Sequence, residues 1–204
     1  MFQDGRAELA RSVIGEAMRL VLCFLPFVAL VAGSAAEIVG LVYGPAFSPA
    51  APPVTLLLLG SVAHVIISVI AEVLTAVERP GWAVAMTWPL LPVMVAACLV
   101  ATPRFGPSGA AAAMTGLSWL GAIAMMLSVQ KYTDVRPGWA TVLRISGTAL
   151  VAYALSSFWQ SSGAWVIREL SVIAAAVFVC LSLLGELTTQ DLSFAISVVR
   201  REPD

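Results

Sequence analysis

The sequence is poor in charged residues. Aspartate, glutamate, lysine and arginine together make up 11% of the 204 positions, whereas apolar residues make up 60% and the mean hydropathy is +0.94. A soluble domain carries about 25% charged residues, so this composition excludes an ordinary soluble domain. The net charge of −1 excludes the strongly basic surface that nucleic-acid binding requires. The composition therefore predicts a protein whose surroundings are a lipid bilayer and that binds no nucleic acid.

Cysteine and histidine are also scarce. Cys23, Cys98 and Cys180 lie far apart inside apolar stretches, without the paired spacings of a disulfide framework or a zinc site. The single histidine, His64, cannot form a metal site alone. The GxSxG, HExxH and Walker motifs of common enzymes are missing, and the predicted loops are too short to hold an active site. The sequence therefore predicts no metal, no cofactor and no enzyme activity.

Six apolar stretches, most of them about twenty residues long, dominate the sequence. About 20 apolar residues in a helix cross the roughly 30 Å hydrocarbon core of a bilayer. The backbone must satisfy its own hydrogen bonds there, so each span has to be helical. We predict an all-α fold, a polytopic six-helix membrane domain over residues 20–185. Its spans lie near residues 20–43, 50–77, 82–102, 109–129, 140–159 and 164–185.

The two ends of the chain are the most polar parts of the sequence. Residues 1–19 mix charged with apolar residues and lack the apolar core of a secretory signal peptide. We predict that they form an amphipathic helix at the membrane surface, and a solvated connector to the first span is the alternative. Residues 186–204 are predicted to form an amphipathic cytoplasmic tail.

Positive charge is divided unequally between the two sides of the predicted bundle. If the N-terminus is cytoplasmic, nine of the eleven lysines and arginines lie on the cytoplasmic side. The opposite side then holds Arg104 and Arg168. Cytoplasmic loops of membrane proteins are enriched in lysine and arginine. We therefore predict a multi-pass protein of the cytoplasmic membrane with both termini in the cytoplasm.

Ionisable residues inside the predicted spans are the candidates for a functional site, because such residues are costly in lipid. His64 and Glu72 share one helical ridge with Ser68, at positions i, i+8 and i+4. Such a ridge is typical of a substrate or proton path, and also of a polar patch buried against another helix. Arg144 lies one turn inside span five, where it either binds an anionic headgroup or extends to the membrane surface. Glu37 is a further intramembrane carboxylate.

Two local patterns predict the shape and packing of the spans. Pro89 and Pro92 lie inside span three, and each removes a helical hydrogen bond, so we expect a kink there. In span one, Ala32, Ala36 and Gly40 recur at every fourth position. A ridge of such small residues is typical of close helix–helix contact in membranes.

Four short motifs lie at the predicted loops and span ends. They occupy residues 43–60 (beginning YGPAF), 76–80 (AVERP), 105–111 (FGPSGAA) and 185–192 (GELTTQDL). In this order they resemble motifs of polysaccharide exporters, the O-antigen and exopolysaccharide flippases of the multidrug/oligosaccharidyl-lipid/polysaccharide exporter superfamily. Glu78 stands where that family usually has glycine. The resemblance covers nearly the whole chain.

The resemblance implies a transporter that moves undecaprenyl-pyrophosphate-linked oligosaccharide across the bacterial cytoplasmic membrane for surface polysaccharide biosynthesis. Flippases of this family have two six-helix lobes with an alternating-access cavity between them. The chain resembles only the C-terminal part, so we expect a truncated product or a subunit that needs the missing N-terminal lobe or a second copy. The motifs assign no binding residue, because the matched segments are turns.

The sequence leaves two other functions open. One is a non-transporting membrane scaffold or assembly subunit of a polysaccharide export system, which the missing lobe favours. The other is a membrane-embedded enzyme of glycan or lipid assembly. Neighbouring genes for glycosyltransferases and a polymerase, or an upstream frame for the missing helices, would favour the transporter.

Overall fold

Every regular element that the computed structural model describes is a helix. It describes residues 15, 18–76, 80–133, 139–159 and 165–185, and these ranges contain no strand. Most of the predicted terminal segments 1–19 and 186–204 therefore lie outside the described residues. The α-helices are α1 (Leu25–Gly33), α2 (Ala35–Tyr43), α3 (Ala51–Ala76), α4 (Pro80–Thr87), α5 (Leu90–Thr133), α6 (Trp139–Phe158) and α7 (Trp165–Leu183). A 3-10 helix, Pro45–Ala50, joins α2 to α3.

The first apolar segment is bent. Helical residues Met18–Gly33 meet α2 at an angle of 60°. The bend lies at Ser34, which follows a glycine, and a glycine–serine pair is one of the recurrent causes of helix kinks. Because of the bend, the predicted small-residue ridge is wrong: Ala36 is exposed, and a Cβ added to Gly40 would meet no atom within 4 Å.

Helix α5 consists of two helical arms that fold back on each other at Gly106. This glycine has φ +63° and ψ −152°, a conformation outside the helical region that L side chains rarely adopt. A Cβ added to Gly109 would lie 2.7 Å from the carbonyl oxygen of Ala101. In a straight helix, residues eight positions apart are separated by about 12 Å. Farther from the turn, a Cβ added to Gly121 would lie 2.8 Å from Leu90 Cδ1, so the two arms are in contact over several turns.

A break at Trp88 and Pro89 separates α4 from α5. Trp88 closes α4 by donating its backbone N–H to the carbonyl of Val84 over 2.9 Å, and Leu91 N–H then donates to the carbonyl of Trp88 over 3.3 Å. The kink predicted at Pro89 is confirmed. Pro92 causes no second break, because it lies in the first turn of α5, where the backbone N–H groups have no helical partner.

Helix α1 lies at the centre of the bundle. It contacts α6, α3 and α7, and α3 in turn packs along α5. Gly33 allows the close approach of α1 to α6, because a Cβ there would collide with Ser156 Oγ and would lie 2.8 Å from the carbonyl oxygen of Tyr153. The core is apolar and draws on residues from most of the helices. Its most deeply buried side chains include Leu30, Ile70, Met125, Ile145 and Leu181.

Several helices are long and apolar enough to cross a membrane. Four qualify alone, within Pro45–Glu72, Val84–Ser128, Ala140–Phe158 and Trp165–Leu183. The bent pair formed by Met18–Gly33 and α2 raises the number to five if it counts as one span. The described part of the chain is therefore an all-helical protein with four to five candidate membrane-spanning helices.

Candidate functional site

Helix α3 carries a stripe of polar residues on its exposed face. The members of this α3 polar stripe are Ser61, His64, Ser68, Glu72 and Thr75. Their hydroxyl groups bond to the backbone of their own helix: Ser68 Oγ donates to the carbonyl of His64 over 3.1 Å, and Thr75 Oγ1 donates to the carbonyl of Ala71 over 2.8 Å. These bonds satisfy the hydroxyls locally, so the stripe presents the imidazole of His64 and the carboxylate of Glu72 as its strongest polar groups.

The opposite face of α3 is apolar and buried. Val62, Ala63, Ile66, Ile70 and Leu74 recur there at intervals of three and four residues, which is the period of a helix. This face packs against α1 and α5. The α3 polar stripe therefore lies on the side of the bundle that the described helices leave uncovered.

The structure separates Arg144 from His64 and Glu72. Arg144 is exposed near the start of α6, and its carbonyl accepts a hydrogen bond of 2.8 Å from Thr148 Oγ1. Helix α6 packs against α1 and α7, whereas α3 packs against α1 and α5, so α1 lies between the two candidate regions. Glu37 is half-buried in α2, and its Oε2 has no hydrogen-bond partner among the described residues.

A cavity at the N-terminal end of α7 contains a buried carboxylate that the sequence analysis did not identify. This α7 cavity has a volume of about 480 Å³ and is lined by Trp159, Trp165, Arg168, Glu169, Val172 and Ile173. Glu169 is 9% exposed, and its Oε1 has no hydrogen-bond partner in the described part of the chain. Burying a charged or polar group without a partner is costly, so the arrangement favours a bound donor or cation.

Arg168 lies beside Glu169 in the α7 cavity but bonds to an aromatic ring. Its Cζ lies 4.3 Å from the centroid of the Trp165 ring, within the range of a cation–π interaction. A guanidinium stacked in this way keeps its N–H groups at the edge of the plane available for an anion. The α7 cavity thus offers an anion-binding group and a cation-binding group on adjacent residues.

The buried face of α7 includes Glu169 and follows the period of a helix. Val166, Glu169, Ile173, Val177 and Leu181 recur at intervals of three and four residues and form the buried face of α7. Sequence reasoning missed Glu169 because it lies at the start of the sixth apolar stretch, beside an arginine that was assigned to the external side.

Neither polar region resembles a metal centre. Within the described ranges, no group of three histidine, cysteine, aspartate or glutamate residues is placed to hold a metal ion. Comparison of the chain with protein-family models, with curated proteins and with solved structures gives no significant match.

Proposed function

We propose that the chain is the C-terminal portion of a transporter that flips undecaprenyl-pyrophosphate-linked oligosaccharide across the bacterial cytoplasmic membrane for surface polysaccharide biosynthesis. The loop motifs that resemble those of polysaccharide exporters support this proposal. Three of these motifs contain a glycine with positive φ: Gly44 at +89°, Gly106 at +63° and Gly185 at +73°. Other residues rarely adopt this conformation, so these glycines have a physical role in the turns where the resemblance lies.

We propose further that the chain crosses the membrane six times. Val84–Ser128 is 45 residues long, and a straight helix of that length would extend roughly 67 Å, about twice the hydrocarbon core. Its reversal at Gly106 gives two antiparallel arms of suitable length for one crossing each. With the bent pair as one span, this hairpin as two, and the remaining three candidates, six crossings follow.

The observation that carries the transport proposal is the α3 polar stripe. A charged side chain at the centre of a membrane helix costs about 2.5–3.5 kcal/mol, and such residues usually face a bundle interior or a water-filled cavity. His64, inside the candidate span Pro45–Glu72, and Glu72, at its end, are nevertheless both exposed on the described bundle. An N-terminal lobe or a second copy of the chain, packed against this face of α3, would enclose them in a polar path. Alternating access requires two helical lobes that move against each other.

The orientation of the proposed transporter follows from its charge distribution. Six crossings place both termini on the same side, and nine of the eleven lysines and arginines assign that side to the cytoplasm. The Gly106 turn between the two arms of α5 and the connection at Gly44 then lie on the opposite side of the membrane.

A second candidate function is a non-transporting scaffold or assembly subunit of a polysaccharide export system. The uncovered face of α3 favours this function as well, because a polar stripe in a membrane can bind a partner helix through interhelical hydrogen bonds. Arg144 lies on α6, away from the stripe. In this second function it binds a lipid headgroup and does not line a substrate path.

Photo-crosslinking in living cells distinguishes the two functions. A photoreactive residue in place of Ser68 lies on the α3 polar stripe, and one in place of Leu150, which is 70% exposed on α6, is the matched control. A transporter gives adducts with a polyprenyl-linked saccharide at Ser68 only, identified by mass spectrometry. Adducts confined to one protein at Ser68, or phospholipid adducts equal to those at Leu150, would contradict the transport proposal.

A further inference from the structure

The α7 cavity presents two unlike charged groups that remain separate from each other. Glu169 is buried with an unpartnered Oε1, whereas Arg168 stacks on Trp165. A ligand that satisfies both groups must carry a hydrogen-bond-donating cation and an anion a few ångströms apart. This requirement excludes simple anions, which would leave Glu169 unpartnered, and simple cations, which would leave Arg168 unused.

The position of the α7 cavity limits the ligand further. It is lined by Trp159, at the C-terminal end of α6, and by Trp165, at the N-terminal end of α7. Tryptophans at the ends of membrane helices are typical of the interface, where the headgroups of lipids lie. Val172 and Ile173, about one turn beyond Glu169 along α7, make the next part of the cavity lining apolar. A ligand with a charged head and an apolar body fits this gradient.

We propose that the α7 cavity binds the headgroup of an aminophospholipid with a primary ammonium group, with the ammonium at Glu169 and the phosphate at Arg168. A primary ammonium supplies three N–H donors and a positive charge to the buried carboxylate. The guanidinium of Arg168 binds the phosphate while it remains stacked on Trp165. The proposal does not depend on transport, because it concerns α7 and not the α3 polar stripe.

The chemistry predicts an order of preference among lipids. A choline headgroup keeps the positive charge but has no N–H group, so it offers no hydrogen bond to the carboxylate of Glu169, which lines the cavity. A glycerol headgroup provides hydroxyl donors but carries no positive charge. The negative carboxylate of Glu169 then has no counterion and lies near the negative phosphate of the lipid. Phosphatidylethanolamine should therefore bind best, and each methyl group added to its nitrogen should weaken binding.

Native mass spectrometry of the full chain in detergent tests this order. The protein is mixed with equal amounts of phosphatidylethanolamine, phosphatidylcholine and phosphatidylglycerol, and the bound lipid is identified. We expect phosphatidylethanolamine to bind about tenfold more tightly than the other two lipids, because one hydrogen bond to a charged group contributes about that much affinity. Glu169→Gln should abolish this preference. Arg168→Gln should weaken the binding of all three lipids, because each of them carries the phosphate.

Matched variants control for charge alone. Glu37→Gln and Arg104→Gln make the same chemical changes outside both the α7 cavity and the α3 polar stripe and should keep the preference. Binding of the mono-, di- and trimethylated ethanolamine lipids to the unmodified protein is measured as well, and each added methyl group should weaken it. This measurement needs no variant, so it still tests the proposal if Glu169→Gln fails to fold. Equal binding of all lipids, or a preference that Glu169→Gln leaves intact, would overturn the proposal. Selective binding of soluble phosphoethanolamine without any lipid preference would overturn the assignment to a lipid.

Discussion

The hydroxyl of Ser128 donates a hydrogen bond to the sulfur of Met86 across 3.1 Å, although 42 positions separate the two residues. Met86 lies in α4, just before the break at Pro89, so the contact joins α4 to the second arm of α5 near the open end of the hairpin, far from its turn at Gly106. Together with the approach of Gly109 to Ala101 at the closed end, it supports two antiparallel arms instead of one long helix. The proposed topology depends on this hairpin more than on any other feature.

The first prediction concerns the sidedness of the hairpin. Reporter fusions at Ser108, beside the turn, should give an external signal, whereas fusions at Arg79 and Asp134 should give a cytoplasmic signal. A fusion at Ser48 should match Ser108, because one crossing lies between Ser48 and Arg79. A cytoplasmic signal at Ser108 would contradict the six-span topology.

The second prediction compares two glycines in the same helical arm. Gly109→Ala places a Cβ 2.7 Å from the Ala101 carbonyl oxygen and 2.7 Å from Phe105 Cβ, so the arms must separate. Overpacking of this kind costs about 1–3 kcal/mol. Gly116→Ala meets no atom within 4 Å and should be neutral or stabilise the helix by about 0.5–1 kcal/mol. Thermal unfolding in detergent measures both variants, and equal midpoints would show that the arms do not touch at Gly109.

The third prediction concerns the contact between α3 and α5. Thr115 Oγ1 donates to the carbonyl of Leu56 over 2.6 Å across the two helices. Thr115→Val removes the donor and keeps the shape, and such bonds in membrane bundles contribute about 0.6 kcal/mol. Thr148→Val is the control, because the hydroxyl of Thr148 bonds within its own helix. Unfolding in mixed micelles should show a lower free energy of unfolding for Thr115→Val than for Thr148→Val, and the reverse order would contradict the assignment.

The fourth prediction separates the roles of two prolines. Pro89→Ala should join α4 to α5, because the residue can then donate the missing backbone hydrogen bond. Spin labels at Val84 and Val95 should then lie near the separation of about 16 Å that a continuous helix gives to their Cα atoms. Pro92→Ala should leave the distance of the parent protein unchanged. An identical distance in both variants and the parent would assign the break to another cause.

Hydropathy predicted an all-helical protein whose helices are long enough to cross a bilayer, because that length is visible in the sequence; the described residues contain four to five candidate spans, and the number six stays a prediction. The break at Pro89 was also predictable, since proline acts through local geometry. The turn at residues 103–108 was expected, and Gly106 with its positive φ is the physical reason for the reversal there.

The bend at Ser34 and the burial of Glu169 were not predicted. The spacing of Ala32, Ala36 and Gly40 indicates a ridge only if the helix is straight; with the bend, Ala36 is exposed and a Cβ added to Gly40 would meet no atom within 4 Å. The burial of Glu169 depends on which face of α7 meets the rest of the bundle, which composition alone does not specify. The ridge of His64 and Glu72 was visible from spacing, but its place on the uncovered face of α3 required the packing of α3 on α1 and α5.

Thiol labelling in native membranes tests whether the α3 polar stripe lines a water-filled path. Ser68→Cys and Glu72→Cys are made in a background that lacks Cys23, Cys98 and Cys180, with Leu150→Cys as the exposed apolar control on α6. If the stripe lines a water-filled path, a membrane-impermeant, water-soluble maleimide should label both stripe positions but not Leu150→Cys. Labelling should fall when lipid-linked oligosaccharide accumulates. If both stripe positions stay as inert as Leu150→Cys under every condition, the stripe does not line a path and the transport proposal is wrong.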